Sequence, residues 1–470
     1  MLKKYFKIEK HKKKLALIDD NIGKLYYSDL LEIGSKLSIN NSVKKKLVFL
    51  ICKNNYETII GYLSFLRSNT CVLLLNQNMK INNLKSLIDL YHPDYIYCPS
   101  NVKNSFPGFK KKTSIGSYSL IKTNLSKDFQ INKKLALLLP TSGSTGNPQV
   151  VRQSYQNIIS NSNAISNFLK IRSEDKVITT LPMNYTYGLS IINSHLLKGS
   201  CLVLTENSII TRKFWNLFKK NNVTTFGGVP YTFEILKKIK FEKMFLPSLR
   251  YITQAGGKLD NNLINYFYKV SIKKNFKFII MYGQTEATAR MSYLKWEALK
   301  EKKDSIGKPI SGGKFYLIDA NYNKINKNNT FGELVYKGDN VCLGYANNRF
   351  DLQKDDENKK LLLTGDIAVR DKDGFYYIKG RKKRFIKLFG HRINLDDIEK
   401  LIKVLGCDCA CKGDDKKISI FLESTGKIYR KKIEKILNKK IEAIKNAYEL
   451  LFVKKIPRNE SGKILYSKLH

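Results

Sequence analysis

The chain has 470 residues, 43% of them hydrophobic, which is more than one domain usually holds and ample for a large core. It carries 84 Lys+Arg against 40 Asp+Glu, a formal net charge of +44. The composition excludes a disordered chain, and no apolar run approaches the ~18 residues of a spanning helix, so no transmembrane segment is expected. The basic residues are spread along the chain with Asn and Ile, as an AT-rich coding bias would leave them. Contact with an acidic protein or an anionic membrane surface is the competing reading. No zinc-finger spacing or RNA-recognition signature accompanies the charge, so specific nucleic-acid binding is not expected.

The first 135 residues alternate strand-like and helical runs. "KKLVFLIC" reads as a buried strand, "NYETIIGYLSFLRS" as an amphipathic helix, "TCVLLLN" as a strand; "NLKSLIDLYH" and "DYIYCP" follow. Such alternation predicts a parallel sheet with helices on its faces. The rhythm returns in "DKVITTLP", "GLSIINSHLLKG", "SCLVLT", "ITRKFWNLFKKNN", "VTTFGGVP" and "LRYITQAGG". After about Ser305, short strands joined by Asp-Gly, Lys-Gly and Asn-rich turns predict a small β-barrel or sheet. A basic joint, "GRKKRFIKLFGHR", precedes a small α+β tail: a helix at Leu395–Val404, strands at Cys407–Ala410 and Ile418–Leu422, and a long helix near Arg430–Ala447. The fold class is therefore α/β: a large N-terminal domain, 1–380, and a small C-terminal domain, 381–470, with the boundary at Gly380/Arg381.

Eight cysteines are scattered except in "GCDCACKG". Cys407, Cys409 and Cys411 alternate, which places them on one face of a strand as small buried hydrophobes; the spacing is not that of a zinc ribbon. No disulfide framework is visible, and the apolar part of the N-terminal segment, "LALI", is too short for a signal peptide, so a reducing, cytoplasmic setting is expected.

Four stretches carry chemistry. In "LLLPTSGSTGNPQVVRQ" a strand runs into Thr141, Ser142, Gly143, Ser144, Thr145 and Gly146, whose N–H groups and hydroxyls suit phosphate oxygens. It is not a P-loop, which ends in Gly-Lys; Gln149 stands where a lysine would be sought. In "FIIMYGQTEATARMSY" a strand ends at Tyr282 and Gly283, then Thr285 and Glu286 place a hydroxyl and a carboxylate where Mg²⁺ and phosphate are held. In "LLLTGDIAVRDKDGFYYIKGR", Asp366 follows a strand at a glycine turn, a place from which an acid accepts ribose hydroxyls. In "PRNESGKILYSKL", Lys463 follows Ser-Gly.

In this order the four stretches resemble the adenylate-forming superfamily: acyl-CoA synthetases, firefly luciferase and the adenylation domains of peptide synthetases. The resemblance runs over almost the whole chain and looks most like compact bacterial ligases. It implies that a carboxylic acid and ATP·Mg²⁺ give an acyl-adenylate and pyrophosphate, and that the pantetheine thiol of coenzyme A or an acyl carrier protein then takes the acyl group. Thr141–Gly146 would grip the β- and γ-phosphates. Gly256, Gly257 and Lys258 would wall the adenine pocket. Tyr282 would stack on adenine, Thr285 touch the α-phosphate, Glu286 bind Mg²⁺, and Asp366 and Arg381 hold the ribose. Lys463 would bridge carboxylate and α-phosphate, and a rotation about Lys383, in the family's "GR-x-[DK]" position, would bring the turn at Gly390 to the pantetheine tunnel.

Three departures accompany the resemblance. Gln149 replaces the loop lysine, and nearby Arg152 is a candidate substitute. "LPMNYTYG" carries Tyr185 where the family often has histidine, and Ile280 stands where many members use a polar residue for adenine. Tyr185, Tyr187, Gly228, Tyr231 and Gly283 are the candidate acid-pocket residues. An acidic carrier protein would suit the +44 charge. The alternative reading is a catalytically impaired, nucleotide-binding scaffold.

Overall fold

The computed structural model describes residues 6–20, 22–39, 44–125, 129–140, 149–388, 391–414, 417–423, 430, 432–435, 437, 448–458 and 464–469. Over these residues the chain divides into two compact units, one of 6–140, 149–314 and 336–362, the other of 315–335 and 363–469.

The first unit holds two sheets. In the eight-stranded sheet, Tyr95–Pro99, Leu47–Cys52, Cys71–Asn76 and Leu135–Pro140 run parallel side by side. The hairpin Lys110–Ile115/Tyr118–Lys122 closes one margin; Val150–Ser154 and Gly344–Ala346 close the other, both antiparallel. The central strand Leu47–Cys52 is buried at every position, as its unbroken apolar run requires. Its alternate residues enter different cores: Val48, Leu50 and Cys52 join one, Leu47, Phe49 and Ile51 the other. The helix Tyr56–Arg67 starts at Asn55, whose side chain accepts from the Thr58 amide, and is buried along most of its length.

The nine-stranded sheet has a parallel centre, Lys277–Tyr282, Tyr251–Gln254, Thr225–Gly228, Lys176–Ile178, Cys201–Leu204 and Leu15–Asp19. Antiparallel strands finish it, Ser292–Leu294 and Lys308–Pro309 at one side and Gly23–Tyr26 at the other. The helices Tyr155–Phe168 and Thr186–Leu197 pack on each other. Within the second of these, His195 is buried, with Nδ1 2.8 Å from Ile191 O and Nε2 3.2 Å from the Tyr251 hydroxyl. Because a carbonyl only accepts, Nδ1 carries the proton and Nε2 accepts from tyrosine.

The expected barrel or sheet is an open five-stranded sheet that includes Lys314–Ile318, Gly332–Lys337 and the long hairpin Leu361–Arg370/Tyr376–Arg381. Beyond it come the hairpin Phe385–Leu388/His391–Asn394, the helix Leu395–Lys403, and a three-stranded sheet of Asp408–Gly413, Ile418–Glu423 and Tyr448–Val453. Most of the expected Arg430–Ala447 helix lies outside the described residues. The strand Tyr448–Val453, parallel to Ile418–Glu423, is an element the sequence reading lacked. Cys407, Cys409 and Cys411 do share one buried face with Ile398 and Ile402, and burial pushes all three thiols above their ordinary range. Among the described residues no cluster of His, Cys, Asp or Glu is arranged for a metal. Arg384 ties this end together: it meets Asp396 at 2.7 Å, Glu399 and the Cys411 carbonyl at 2.6 Å, and lies 4.2 Å over the Tyr466 ring. No described helix is long and apolar enough to cross a membrane.

Candidate active site

In the first unit, the parallel strands of the nine-stranded sheet end in the predicted site segments. Thr225–Gly228 ends at Gly228, which pairs with Gln254 at the end of Tyr251–Gln254. Gln254 then holds the turn that follows, its Nε2 donating to Gly257 O at 2.8 Å and Ala255 O at 3.3 Å. Gly256 has φ +85°, and a Cβ there would crowd the Tyr185 hydroxyl and Val229. The expected adenine wall and the tyrosine in the histidine position are thus in contact. Lys258 is half-exposed and paired with Asp304 at 3.0 Å.

The strand Lys277–Tyr282 ends at the second predicted stretch. Gly283 is obligatory, because a Cβ would overlap the carbonyl of Ala289 as the loop folds back. Tyr282, Gly283, Thr285 and Glu286 are all half-buried. A short 3₁₀ turn, Thr285–Ala287, presents Glu286, and its backbone is anchored twice: Gln153 Nε2 donates to Thr285 O at 3.0 Å, and Cys342 N donates to Glu286 O at 2.8 Å. The Glu286 carboxylate accepts from the Tyr345 hydroxyl at 2.8 Å. A hard, half-exposed carboxylate in a fixed orientation fits Mg²⁺, which takes one or two protein oxygens and keeps the rest of its shell for water and phosphate.

In the second unit, Asp366 and Arg381 are directly opposite each other on the long hairpin, with Nε 2.6 Å from Oδ1. Asp366 is 3% exposed and Arg381 is half-exposed, so one edge of the pair faces outward. A one-residue register shift between Ile367 and Ala368 brings the two ribose candidates opposite each other. Lys383 lies just past Arg381, exposed, in the 3₁₀ turn Lys382–Arg384. Gly380 and Arg381 are the last two residues of the strand Tyr376–Arg381.

The expected phosphate grip, Thr141 to Gly146, lies outside the described residues, as do Lys463 and Gly390. The flanking strands Leu135–Pro140 and Val150–Ser154 pair antiparallel up to Pro140–Val150, with half-buried Gln149 immediately before the second.

Two expectations are corrected. Arg152 is not a spare cation for phosphate. It is fully buried, and its guanidinium donates to the carbonyls of Leu343, Tyr345, Lys354 and Asp355 and pairs with Glu357. Tyr231 is 57% exposed and does not line an enclosed pocket. Tyr187, by contrast, is buried, with its hydroxyl 2.8 Å from Thr253 Oγ1.

Sequence reasoning missed Tyr345, Gln153 and Arg290. Arg290, on the loop that carries Glu286, is 2% exposed, with Cζ 4.7 Å over the Tyr187 ring and Nη1 donating to Ser190 Oγ at 2.6 Å. Burial drives its pKa down, with Tyr187, Tyr251 and Tyr185 acting against that. Its one sequence signal is a lone charge inside "ATARMSY".

Parallel strands that end in glycine turns, with a fixed carboxylate at one end, define a nucleotide-binding α/β protein. The chain belongs to the AMP-binding enzyme family of the adenylate-forming superfamily, which matches it over residues 7–346. It is 26% identical over 365 residues to the oxalate–CoA ligase of Saccharomyces cerevisiae, covering 75% of this chain and 66% of that one. It is 24% identical over 455 residues to the 2-succinylbenzoate–CoA ligase of Bacillus pumilus, covering 93% and 90%. The match to bacitracin synthase 2 of Bacillus licheniformis, 26% identical, covers 75% of this chain and only 14% of that protein, so the chain spans two thirds or less of several curated relatives. In fold it resembles the o-succinylbenzoate CoA synthetase of Bacillus subtilis bound to its acyl-adenylate (TM-score 0.79, 20% identity, 99% and 97% coverage). The ATP-bound MatB of Rhodopseudomonas palustris is equally similar (TM-score 0.80, 18% identity, 99% and 98% coverage).

Proposed function

We propose that this chain is an AMP-forming acid–thiol ligase. It joins a carboxylic acid to AMP at the expense of ATP, releasing pyrophosphate, and passes the acyl group to the pantetheine thiol of coenzyme A or of an acyl carrier protein. The observation that carries the reading is the Tyr282–Glu286 turn: a strand-end tyrosine, an obligatory glycine, a hydroxyl, and a carboxylate held by Tyr345. The Asp366–Arg381 pair supports it.

Asp366 accepts hydroxyl protons of the ribose, and Arg381 fixes that carboxylate. Thr285 donates to the α-phosphate. Glu286 holds Mg²⁺, which supplies positive charge against the phosphates when bound. Thr141, Ser142, Gly143, Ser144, Thr145 and Gly146 hold the β- and γ-phosphates through N–H groups and hydroxyls. Gly256, Gly257 and Lys258 bound the adenine, and Tyr282 stacks on it. Lys463 lies between the attacking carboxylate and the α-phosphate, where a positive charge offsets the repulsion of two anions and fixes the line of attack. The carboxylate oxygen bonds to the α-phosphorus as the bond to the β-phosphate oxygen breaks. In the second step the thiolate attacks the acyl carbon and AMP leaves. Residues 381–470 turn about Lys383 between the steps, and the basic surface meets an acidic carrier protein. The eight cysteines are free and buried, in keeping with a reducing cytoplasm.

The test is acid-dependent pyrophosphate release by the wild type beside Lys463→Ala, over a panel that includes oxalate, 2-succinylbenzoate and long-chain fatty acids. Release confined to one acid class, and collapsing in the variant, supports the ligase. ATP binding without release from any acid points instead to a nucleotide-binding scaffold.

A further inference from the structure

We infer that Arg290 receives a second carboxylate of the acid, so that this chain activates dicarboxylic acids; the inference rests on the ligase reading above. The Arg290 guanidinium is 2% exposed. Its position is fixed from the backbone side, where its carbonyl accepts from Asn161 Nδ2 at 2.8 Å and Asn340 Nδ2 at 3.2 Å. Nη1 is used by Ser190 Oγ at 2.6 Å, and the guanidinium lies 4.7 Å over the Tyr187 ring. Nε and Nη2 have no hydrogen-bond partner among the described residues. Those two nitrogens form one edge of the guanidinium, with parallel N–H bonds spaced for the two oxygens of a carboxylate.

The buried acid Asp175 does not meet this need. Asp175 is paired with Arg250 and accepts from Thr224. The titratable groups around the guanidinium are the tyrosines 185, 187 and 251, Tyr187 interacting with it directly, and His195; burial raises the three tyrosines and lowers the histidine, so all four are neutral at ordinary pH. A buried cation that meets no carboxylate among the described residues is costly, and an arriving anion relieves that cost.

Arg290 adjoins the candidate pocket through Tyr187. Arg290 lies four residues beyond Glu286 on one loop. The Tyr187 hydroxyl approaches Gly227, beside Gly228, and the Tyr185 hydroxyl approaches Gly256. A diacid would present one carboxylate to the α-phosphate and the other to Arg290. A single planar +1 group in a dry site matches a carboxylate, whereas a phosphate dianion would bring excess negative charge.

The experiment uses the full chain with oxalate, malonate, succinate, glutarate and phthalate, each beside its half-amide. Pyrophosphate release is measured for the wild type, Arg290→Met and Arg290→Lys, and diacid binding is measured by calorimetry with ATP present. The wild type is expected to favour one diacid over its half-amide by about 100-fold or more in kcat/KM. Arg290→Met should erase that preference, losing about 100-fold on the diacid while the half-amide and ATP affinity stay within about threefold. Arg290→Lys, which keeps the charge but not the fork, should fall between. A wild type that uses only monoacids refutes the inference and leaves the ligase standing. So does Arg290→Met lowering diacid and half-amide alike. Should no acid release pyrophosphate, the ligase reading fails. Calorimetry on the wild type then decides the inference alone: diacid binding that the half-amide lacks supports it, and no diacid binding overturns it.

Discussion

Replacing Arg152 by Met separates a structural cation from a phosphate-binding one. Arg152 donates to Tyr345 O at 3.0 Å, Leu343 O at 3.0 Å, Lys354 O at 2.6 Å and Asp355 O at 3.2 Å, and pairs with Glu357. Two of these carbonyls keep another donor: Leu343 O also accepts from Glu357 N, and Lys354 O from Asn132 Nδ2. The carbonyls of Tyr345 and Asp355 lose the donation. A buried acceptor that loses its charged donor costs about 1–3 kcal/mol and one that keeps a second donor about 0.5–1 kcal/mol, so two of each total about 3–8 kcal/mol. For a unit of this size that is a fall in Tm of about 6–16 °C. The assay is thermal unfolding together with ATP affinity measured well below the transition. Arg152→Met should melt early yet bind ATP within about threefold of wild type, since among the described residues the arginine contacts only this chain's own carbonyls and Glu357. A variant with wild-type Tm and a tenfold or greater loss of ATP affinity would refute the reasoning and return Arg152 to the phosphates.

Three further outcomes are expected. Tyr345→Phe removes the hydroxyl that orients Glu286; half-maximal Mg²⁺ for pyrophosphate release should rise about tenfold with little change in Tm, and an unchanged Mg²⁺ dependence would remove Glu286 from the metal's ligands. Asp366→Asn weakens the pair with Arg381 and the charge offered to ribose; ATP affinity by calorimetry should fall about 10- to 100-fold, and equal loss for 2′,3′-dideoxy-ATP would show that the carboxylate acts elsewhere. His195, buried among Tyr251 and the Ile191 carbonyl, has its pKa depressed from 6.5 to about 4. The unfolded chain therefore binds the proton more tightly; its contribution is intact above pH 6.5 and is lost as pH falls toward 4, by up to about 3 kcal/mol. Urea unfolding across that window should lose part of its slope in His195→Phe.

Elements whose cause is local were legible. The strand Leu47–Cys52 declares itself by an unbroken apolar run, and Cys407, Cys409 and Cys411 by alternation. The turn at Gly283 was legible because strand, glycine and carboxylate are neighbours in sequence. What failed depends on residues far away in the chain. Arg152 looked like a phosphate ligand because it lies near a phosphate-like loop, but its partners are some two hundred positions on, in 343–357. Tyr345 had no signal at all, since nothing near it in sequence hints that a short edge strand beside Val150–Ser154 delivers its hydroxyl to Glu286. The strand Tyr448–Val453 was hidden for a related reason: its partner Ile418–Glu423 runs parallel, so a long connection separates the two.

The chain's charge is informative only where it is buried. Most of the eighty-four basic side chains are spread along the chain and say little about any one ligand. Three arginines are among the largest fully buried side chains, and burial forces each to find an anion or carry a cost. Arg349 meets Asp94 at 3.2 Å and the carbonyls of Tyr91 and His92; Arg152 meets Glu357 and four carbonyls. Both are the cross-links of long-range structure. Arg290 has the same burial, meets no carboxylate among the described residues, and keeps one edge unpaired beside the site loop. Since folding selects against such a group unless something else compensates, the exception marks where the fold yields stability to recognition, and it does so on the loop that also carries Glu286.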